Sequence, residues 1–223
     1  MKRSLSIGAR RDGRLQAAFT LAEILVVLVI IAIIAAFAMP AMNSVLRGSK
    51  LTLAADQLVR DLNLARQVAV KDNSPVEFRF YKIDDPEQPG AEKAYRSYQA
   101  CRRLYDPRDS SNFEVEAVTP VRDLPDAVVI SDSATYSTLI ADTDVIDNKV
   151  ESGNGESSRV EGENYKSFIF LTDGALNLPD LQGTTLNLWH FTLVRETDDP
   201  SDPKEFVTIQ IDASTGHIRR YDK

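Results

Sequence analysis

The period of the apolar positions changes twice along this chain. Residues 24–39 hold no polar side chain, and a single acid, Glu23, stands at the entrance of the run. A helix that is apolar on every side suits lipid better than the surface of a small domain. The run predicts a helix from about Phe19 to beyond Met39. From Ser44 the pattern becomes amphipathic. Leu51, Ala55, Leu58, Leu62, Ala65 and Ala69 recur at alternating steps of four and three, with Asp56, Arg60, Asn63, Gln67 and Lys71 on the other side. Asp56 and Arg60 are spaced for an i,i+4 ion pair. Asn73-Ser74-Pro75 ends the helix. Pro40 is expected to bend or loosen it, since proline removes one backbone bond and crowds the preceding turn. Gly48 is a second weak point.

After Pro75 the period drops to two. "VEFRFYKI" (76–83) alternates, with Val76, Phe78 and Phe80 on one face. "YRSYQACRRLY" (95–105) is its expected partner across the turn-rich "DDPEQPG". Further strands are expected at 127–130, 167–171, 185–194 and 206–211, and "DASTG" turns into "HIRRY". The fold class that follows is α+β, a long N-terminal helix packed on an antiparallel β-sheet domain. Residues 141–164 carry seven acids, two bases and no aromatic, and read as a disordered acidic loop. Residues 196–205, "ETDDPSDPKE", read as a shorter acidic loop.

Charge sharpens the division. The 223 residues carry a net charge of −7. The first 18 hold Lys2, Arg3, Arg10, Arg11 and Arg14 against Asp12, so the rest of the chain stands at −11. An acidic body argues against nucleic acid or anionic lipid as a partner of the whole surface. The single cysteine, Cys101, excludes an intramolecular disulfide, and two histidines, His190 and His217, offer no zinc cluster.

Basic residues ahead of an apolar run read as an export signal, with the C-terminal body crossing the membrane. Three readings of the run stand side by side: a buried core helix, a cleavable signal cut after Ala38 in Ala36-Phe37-Ala38, and a retained membrane helix. Glu23 bears on the choice. An acid in such a run costs about 2.5–3.5 kcal/mol at the helix centre and less near its end. A retained helix gains from it if a cation arrives as partner. Cleavage between Ala18 and Phe19 makes one, a new ammonium group one helical turn from Glu23.

The stretch "AFTLAEILVVLVIIAIIAAFAMP" resembles the N-terminal methylation motif of type IV pilins and type II secretion pseudopilins. Phe19, Thr20, Leu21 and Glu23 match it residue by residue, and Pro40 falls where the family commonly has a helix-bending proline. The resemblance implies cleavage before Phe19 by a prepilin peptidase, methylation of the new amine, and alignment of subunits in a filament through Glu23 and Phe19. Ala18 departs from the glycine usual before the cut. The implied organisation is a leader at 1–18, a transmembrane and filament-core helix at 19–43, an amphipathic continuation at 44–74, and a periplasmic β domain at 75–223. "LARQVAVKDNSPVEFRF", "FIFLTDGALN" and "VTIQIDASTGHIRR" are similar to H-type minor pseudopilins and FimT-like minor pilins. "PAMNSVLRGSKLT" and "DPEQPG" resemble pilin-like proteins of Verrucomicrobia gene cassettes. The partners implied are the peptidase, other pilin or pseudopilin subunits and the bacterial inner membrane, crossed once.

Nothing in the sequence calls for catalysis or a cofactor: it has no G-x-S-x-G, no P-loop and no H-E-x-x-H. His190 beside Trp189 reads as an ordinary strand histidine, and Cys101 beside Arg102 and Arg103 as a structural thiol. Asp198, Asp199 and Asp202 are candidate calcium ligands, but their spacing fits no regular loop and a solvated acidic loop is the better reading. Arg219, Arg220 and Lys223 beside Tyr221 are a weak phosphate-backbone footprint, read instead as an edge strand kept soluble by charge. The expected role is a structural filament subunit. The alternatives are a filament-tip module that binds DNA or substrate, and a soluble exported protein cut after Ala38.

Overall fold

The computed structural model describes residues 21–85, 90, 92–106, 109–141, 146–150, 159–178 and 188–223, apart from the side chains of 37–48, 106, 109–112, 146–147 and 188. Contacts divide the chain into two units, Met1–Val45 and Leu46–Lys223. One helix, α1 (Leu21–Lys71), contributes to both and includes Pro40 and Gly48.

In the first unit the described side chains of residues 21–36 are exposed, apart from a half-buried Ala35. In the second, Leu51, Ala54, Ala55, Leu58, Leu62, Ala65 and Ala69 form a buried stripe. It follows the four-and-three spacing read from the sequence, and Ala54 widens it. Alanines at four of the seven positions leave room for a sheet to approach closely. The helix ends where expected: Asp72 N–H bonds Val68 O at 2.9 Å, and Asn73 closes the turn with a φ of 47°.

The strands in chain order are β1 (Val76–Ile83), β2 (Ala94–Asp106), β3 (Asp109–Ala117), β4 (Arg122–Asp123) and β5 (Val128–Ile130). A short helix, α2 (Thr138–Ala141), follows, and then β6 (Ile146–Lys149), β7 (Asn164–Phe170), β8 (Leu188–Arg195), β9 (Phe206–Asp212) and β10 (Ile218–Asp222). They form one sheet in the order β10-β9-β8-β5-β2-β1-β7-β6, with β3 and β4 also paired to β2. Every pairing among the described strands is antiparallel. The chain is thus α+β.

Alternation decides which face meets α1. Val76, Phe78 and Phe80 point to the helix and join Tyr98, Ala100, Phe168, Phe170, Trp189, Phe191, Ile209 and Ile211 in the main core. The rings of Phe78, Phe80, Phe168 and Phe191 pack with centroids 5.0–6.2 Å apart, within the range where aromatic pairs attract. A smaller cluster of Tyr81, Ile83, Val150, Val160 and Tyr165 lies on the other face of β1.

Two expectations are corrected here, and one strand is new. Residues 141–164 are not wholly a disordered loop: β6 pairs with β7 in register Ile146↔Ser167 to Lys149↔Asn164, and Val150 and Val160 are buried. Two valines supply the burial that the acidic average concealed. Residues 142–145 and 151–158 lie outside the described residues. The Asp56–Arg60 pair is replaced: Asp56 meets Arg220 of β10, and Arg60 donates to Gln57 Oε1 at 2.8 Å. Strand β3 was not anticipated at all.

Candidate processing and assembly site

The proposed cleavage pair, Ala18 and Phe19, lies outside the described residues. Glu23 is in the first turn of α1 and exposed. An acid there is favourable, since the unsatisfied N–H groups of a helix N-terminus carry partial positive charge. The next thirteen described side chains are all apolar. Leu21 is 82% exposed, and Ile24 to Ile31 and Ile33 to Ile34 are each about half exposed or more. A soluble surface does not display such a continuous apolar run, so this segment is built to be covered by something else. Among the described residues no helix is long and apolar enough to cross a membrane. Residues 21–36 alone span about 24 Å at 1.5 Å per residue, against a hydrocarbon core of about 30 Å. Pro40 lies in α1, but its side chain is outside the described set.

The other candidate residues sit in the second unit, and the structure separates them. Asp199 Oδ1 accepts from Ser201 N–H at 2.8 Å and from its hydroxyl at 2.6 Å. Those bonds hold its carboxyl below the usual range. Asp198 Oδ2 accepts from Lys204 N–H at 3.3 Å, and Asp202 N–H bonds Asp199 O at 3.0 Å. The acids thus shape their own loop. No group of three or more His, Cys, Asp or Glu among the described residues is arranged to hold a metal ion.

The basic C-terminal trio is also divided. Arg220 donates to Asp222 Oδ1 at 2.8 Å and meets Asp56 on α1. Those carboxylates hold its guanidinium protonated beyond its usual range. Arg219 is exposed on the opposite face of β10, and the Lys223 ammonium sits 5.0 Å from the centre of the Phe206 ring. Only two of the three cations therefore face outward together.

His190 Nδ1 lies 3.2 Å from the Thr138 hydroxyl of α2, and burial lowers its pKa, so it is neutral in an ordinary strand setting. His217 is exposed. Cys101 is 1% exposed.

Sequence reading missed two buried polar sites. On the sheet face away from α1, Glu77 is fully buried between two guanidiniums. Arg79 donates to its Oε2 at 3.0 Å and Arg103 at 2.9 Å, while Ser167 donates to Oε1 at 2.7 Å. Arg79 lies 4.4 Å from the Tyr165 ring centre and Arg103 the same distance from that of Phe113. Burial alone would raise the Glu77 pKa, but the two guanidiniums outweigh it and lower it. The second site is Asp61 on α1, which accepts from Tyr98 Oη at 2.9 Å and Gln57 Nε2 at 3.0 Å and pairs with Arg122 at 3.1 Å. The alternation of "VEFRFYKI" places Glu77 and Arg79 together on one face; nothing local says that this face is covered.

Three segments singled out in sequence do converge. Arg66, near the end of α1, donates to Gly174 O at 3.4 Å, in the Asp173-Gly174 turn. Gly216, in the Thr215-Gly216 turn, lies so close that a Cβ would stand 2.0 Å from the same oxygen.

With this geometry in place, residues 13–39 match the family described as the prokaryotic N-terminal methylation motif. The chain thus carries the prepilin-type N-terminus shared by type IV pilins and pseudopilins. Compared with curated proteins, the sequence has no match. One similar solved structure is the minor pseudopilin EpsH from the type 2 secretion system of Vibrio cholerae. It is 11% identical, covers 77% of this chain and 94% of its own, and superposes with a TM-score of 0.37.

Proposed function

We propose that this chain is a structural subunit of a type II secretion or type IV pilus-like filament. It is made as a precursor and held once through the bacterial inner membrane, with its sheet domain in the periplasm. Prepilin peptidase cuts it between Ala18 and Phe19, and the exposed apolar part of α1 becomes filament core among other pilin or pseudopilin subunits. Glu23 pairs there with the new amine of Phe19. The observation that carries this reading is the methylation motif over residues 13–39, with Glu23 as the one charge at the head of an exposed apolar helix. An acid beside hydrocarbon is costly unless it is paired, and cleavage before Phe19 supplies the cation.

The finer assignment, an H-type minor pseudopilin, rests on the sequence resemblance at 64–80, 168–177 and 207–220. The role is structural, and the proposal involves no catalytic group.

Mass spectrometry of the mature protein from its native membrane tests the reading. The expected chain begins at N-methylated Phe19. A chain beginning at Met39 would overturn it, because Glu23 and the apolar run would be lost. Glu23→Gln should still be cleaved but should recover less of its filament partners by pull-down. Recovery equal to wild type would remove Glu23 from assembly.

A further inference from the structure

Among the described residues the sheet has open edges that differ in charge. β3 pairs only with β2 among the described strands, and β10 only with β9. Val118 N–H bonds Ala100 O at 2.9 Å. Counting back along the ladder, Glu114 and Glu116 turn their backbone groups to β2, and Phe113 and Val115 turn theirs outward. On β10, Asp212 N–H bonds His217 O at 3.0 Å and Lys223 N–H bonds Phe206 O at 3.2 Å. Arg219 and Tyr221 therefore bond inward, and Ile218, Arg220 and Asp222 present their backbone groups at the edge. Glu114 and Glu116 are exposed, as are Arg219, Tyr221 and Lys223. The third edge, β6, carries one acid and one base in its four residues and has no such bias.

We propose that β3 of one copy of this chain adds to β10 of a second copy, extending the sheet from one domain into the next. Charge selects the pairing. Two β3 edges would set acids against acids, and two β10 edges cations against cations; like charges directly opposite are destabilising. Charged residues on an edge normally prevent self-association, and here they leave one attractive combination.

The topology agrees with the charges. β3 and β5 both lie on the side of β2 away from β1, so the open edges of β3 and β10 face the same way. Following the antiparallel pairings through β5, β8 and β9, β10 runs opposite to β3. Turning one copy over about the strand direction brings the two edges together as an antiparallel pair. It also makes the helix-bearing face of one copy continuous with the outer face of the other. Glu116 lies on the helix-bearing face, opposite Arg102, which meets Asp72 at the end of α1; Glu114 lies there opposite Leu104. Arg219, Tyr221 and Lys223 lie on the outer face, because Ile218 packs on the core and Arg220 meets Asp56. The turn thus places the acids and the cations on one common face. The contact is heterologous, using different surfaces on the two copies, and does not depend on the N-terminal motif.

Mixed crosslinking of the full-length chain in detergent tests it. Glu114→Cys protein and Arg219→Cys protein are prepared separately, mixed and treated with a short bis-maleimide. Cys101 is buried, so wild type serves as the background. The expected result is a dimer in the mixture, absent from either variant alone and lost at 1 M salt, where the screening length is about 3 Å. Placing Glu116→Lys on the first partner should also abolish it, and adding Lys223→Glu to the second should restore it. No crosslink above background in the mixture, or an equal yield in a single-variant sample, would overturn the proposal. So would a yield that salt and the charge reversals leave unchanged.

Discussion

Glu77 has two cations around one carboxylate, in a place with almost no water. Taking it away leaves Arg79 and Arg103 buried without their shared anion. Removing one partner of a buried ion cluster costs about 3–5 kcal/mol, so Glu77→Gln should lower stability by an amount of that order. The pH dependence has a definite sign. Its folded pKa lies below the ordinary value of a glutamate, so its contribution is complete above that ordinary value and fades as pH falls through the lower folded value. The gap between wild type and Glu77→Gln in urea melts should therefore be widest near neutral pH and shrink below about pH 4. A gap that stays constant down to pH 3 would show that the carboxylate charge contributes little.

Gly216 makes a different residue-scale case. Its φ of 64° is in the left-handed region, and a Cβ there would meet backbone 2.0 Å away, not a side chain that can swing aside. Gly216→Ala should cost more than the roughly 1 kcal/mol of an αL alanine, through displacement of the Gly174 turn and its bond from Arg66. Gly90 has a φ of 91° and no described residue within 4 Å of a Cβ placed there, so Gly90→Ala should cost only the backbone preference. The difference between the two melting temperatures isolates the close approach.

At the scale of elements, α1 in the second unit has two faces that single substitutions can tell apart. Leu62 is fully buried against the sheet, and Leu64, two residues on, is 41% exposed. Leu62→Ala should lose about 2–5 kcal/mol, whereas Leu64→Ala should stay within about 0.5 kcal/mol, both by chemical denaturation of a fragment of residues 46–223. This helix was legible in the sequence because an amphipathic period of four and three needs only local information. β1 was legible for the same reason: the reading gave 76–83, and the strand is Val76–Ile83. β3 was not. Its residues "DSSNFEVEA" include polar turn formers, and they extend because β4 and β5 pair only with the first part of β2 and leave the rest of that side as an unpaired ladder. β6 was hidden by composition, since a four-residue strand in an acidic segment is held by its partner β7. The buried positions of Glu77 and Asp61 were illegible for a related reason. Their partners Arg103, Ser167, Tyr98 and Arg122 lie 26 or more residues away.

At the scale of the whole molecule, the boundary between the two units is also a change in the character of the surface. Every residue of the main core lies at Leu51 or beyond, and the smaller cluster lies entirely in the sheet region. None of the first unit's described side chains belongs to either cluster, and apart from the half-buried Ala35 they are exposed and mostly apolar. The domain is therefore expected to fold without the first unit, whose exposed apolar side chains are expected to drive aggregation in water. A fragment of residues 46–223 is expected to express as a soluble protein and unfold in one cooperative step, because its apolar stripe and its sheet remain together. Starting the fragment after Leu62 should abolish that transition, because Leu51, Ala55, Leu58 and Asp61 all leave the sheet at once. Circular dichroism melts of the two fragments check this. A cooperative melt from the shorter one would mean that the sheet, not its packing on α1, carries the stability. Adding residues 21–45 back to the longer fragment should leave its melt unchanged in detergent and bring on self-association without it. An apolar run that changed neither solubility nor association would have no claim to be the part of the chain that lipid, or a filament core, is meant to cover.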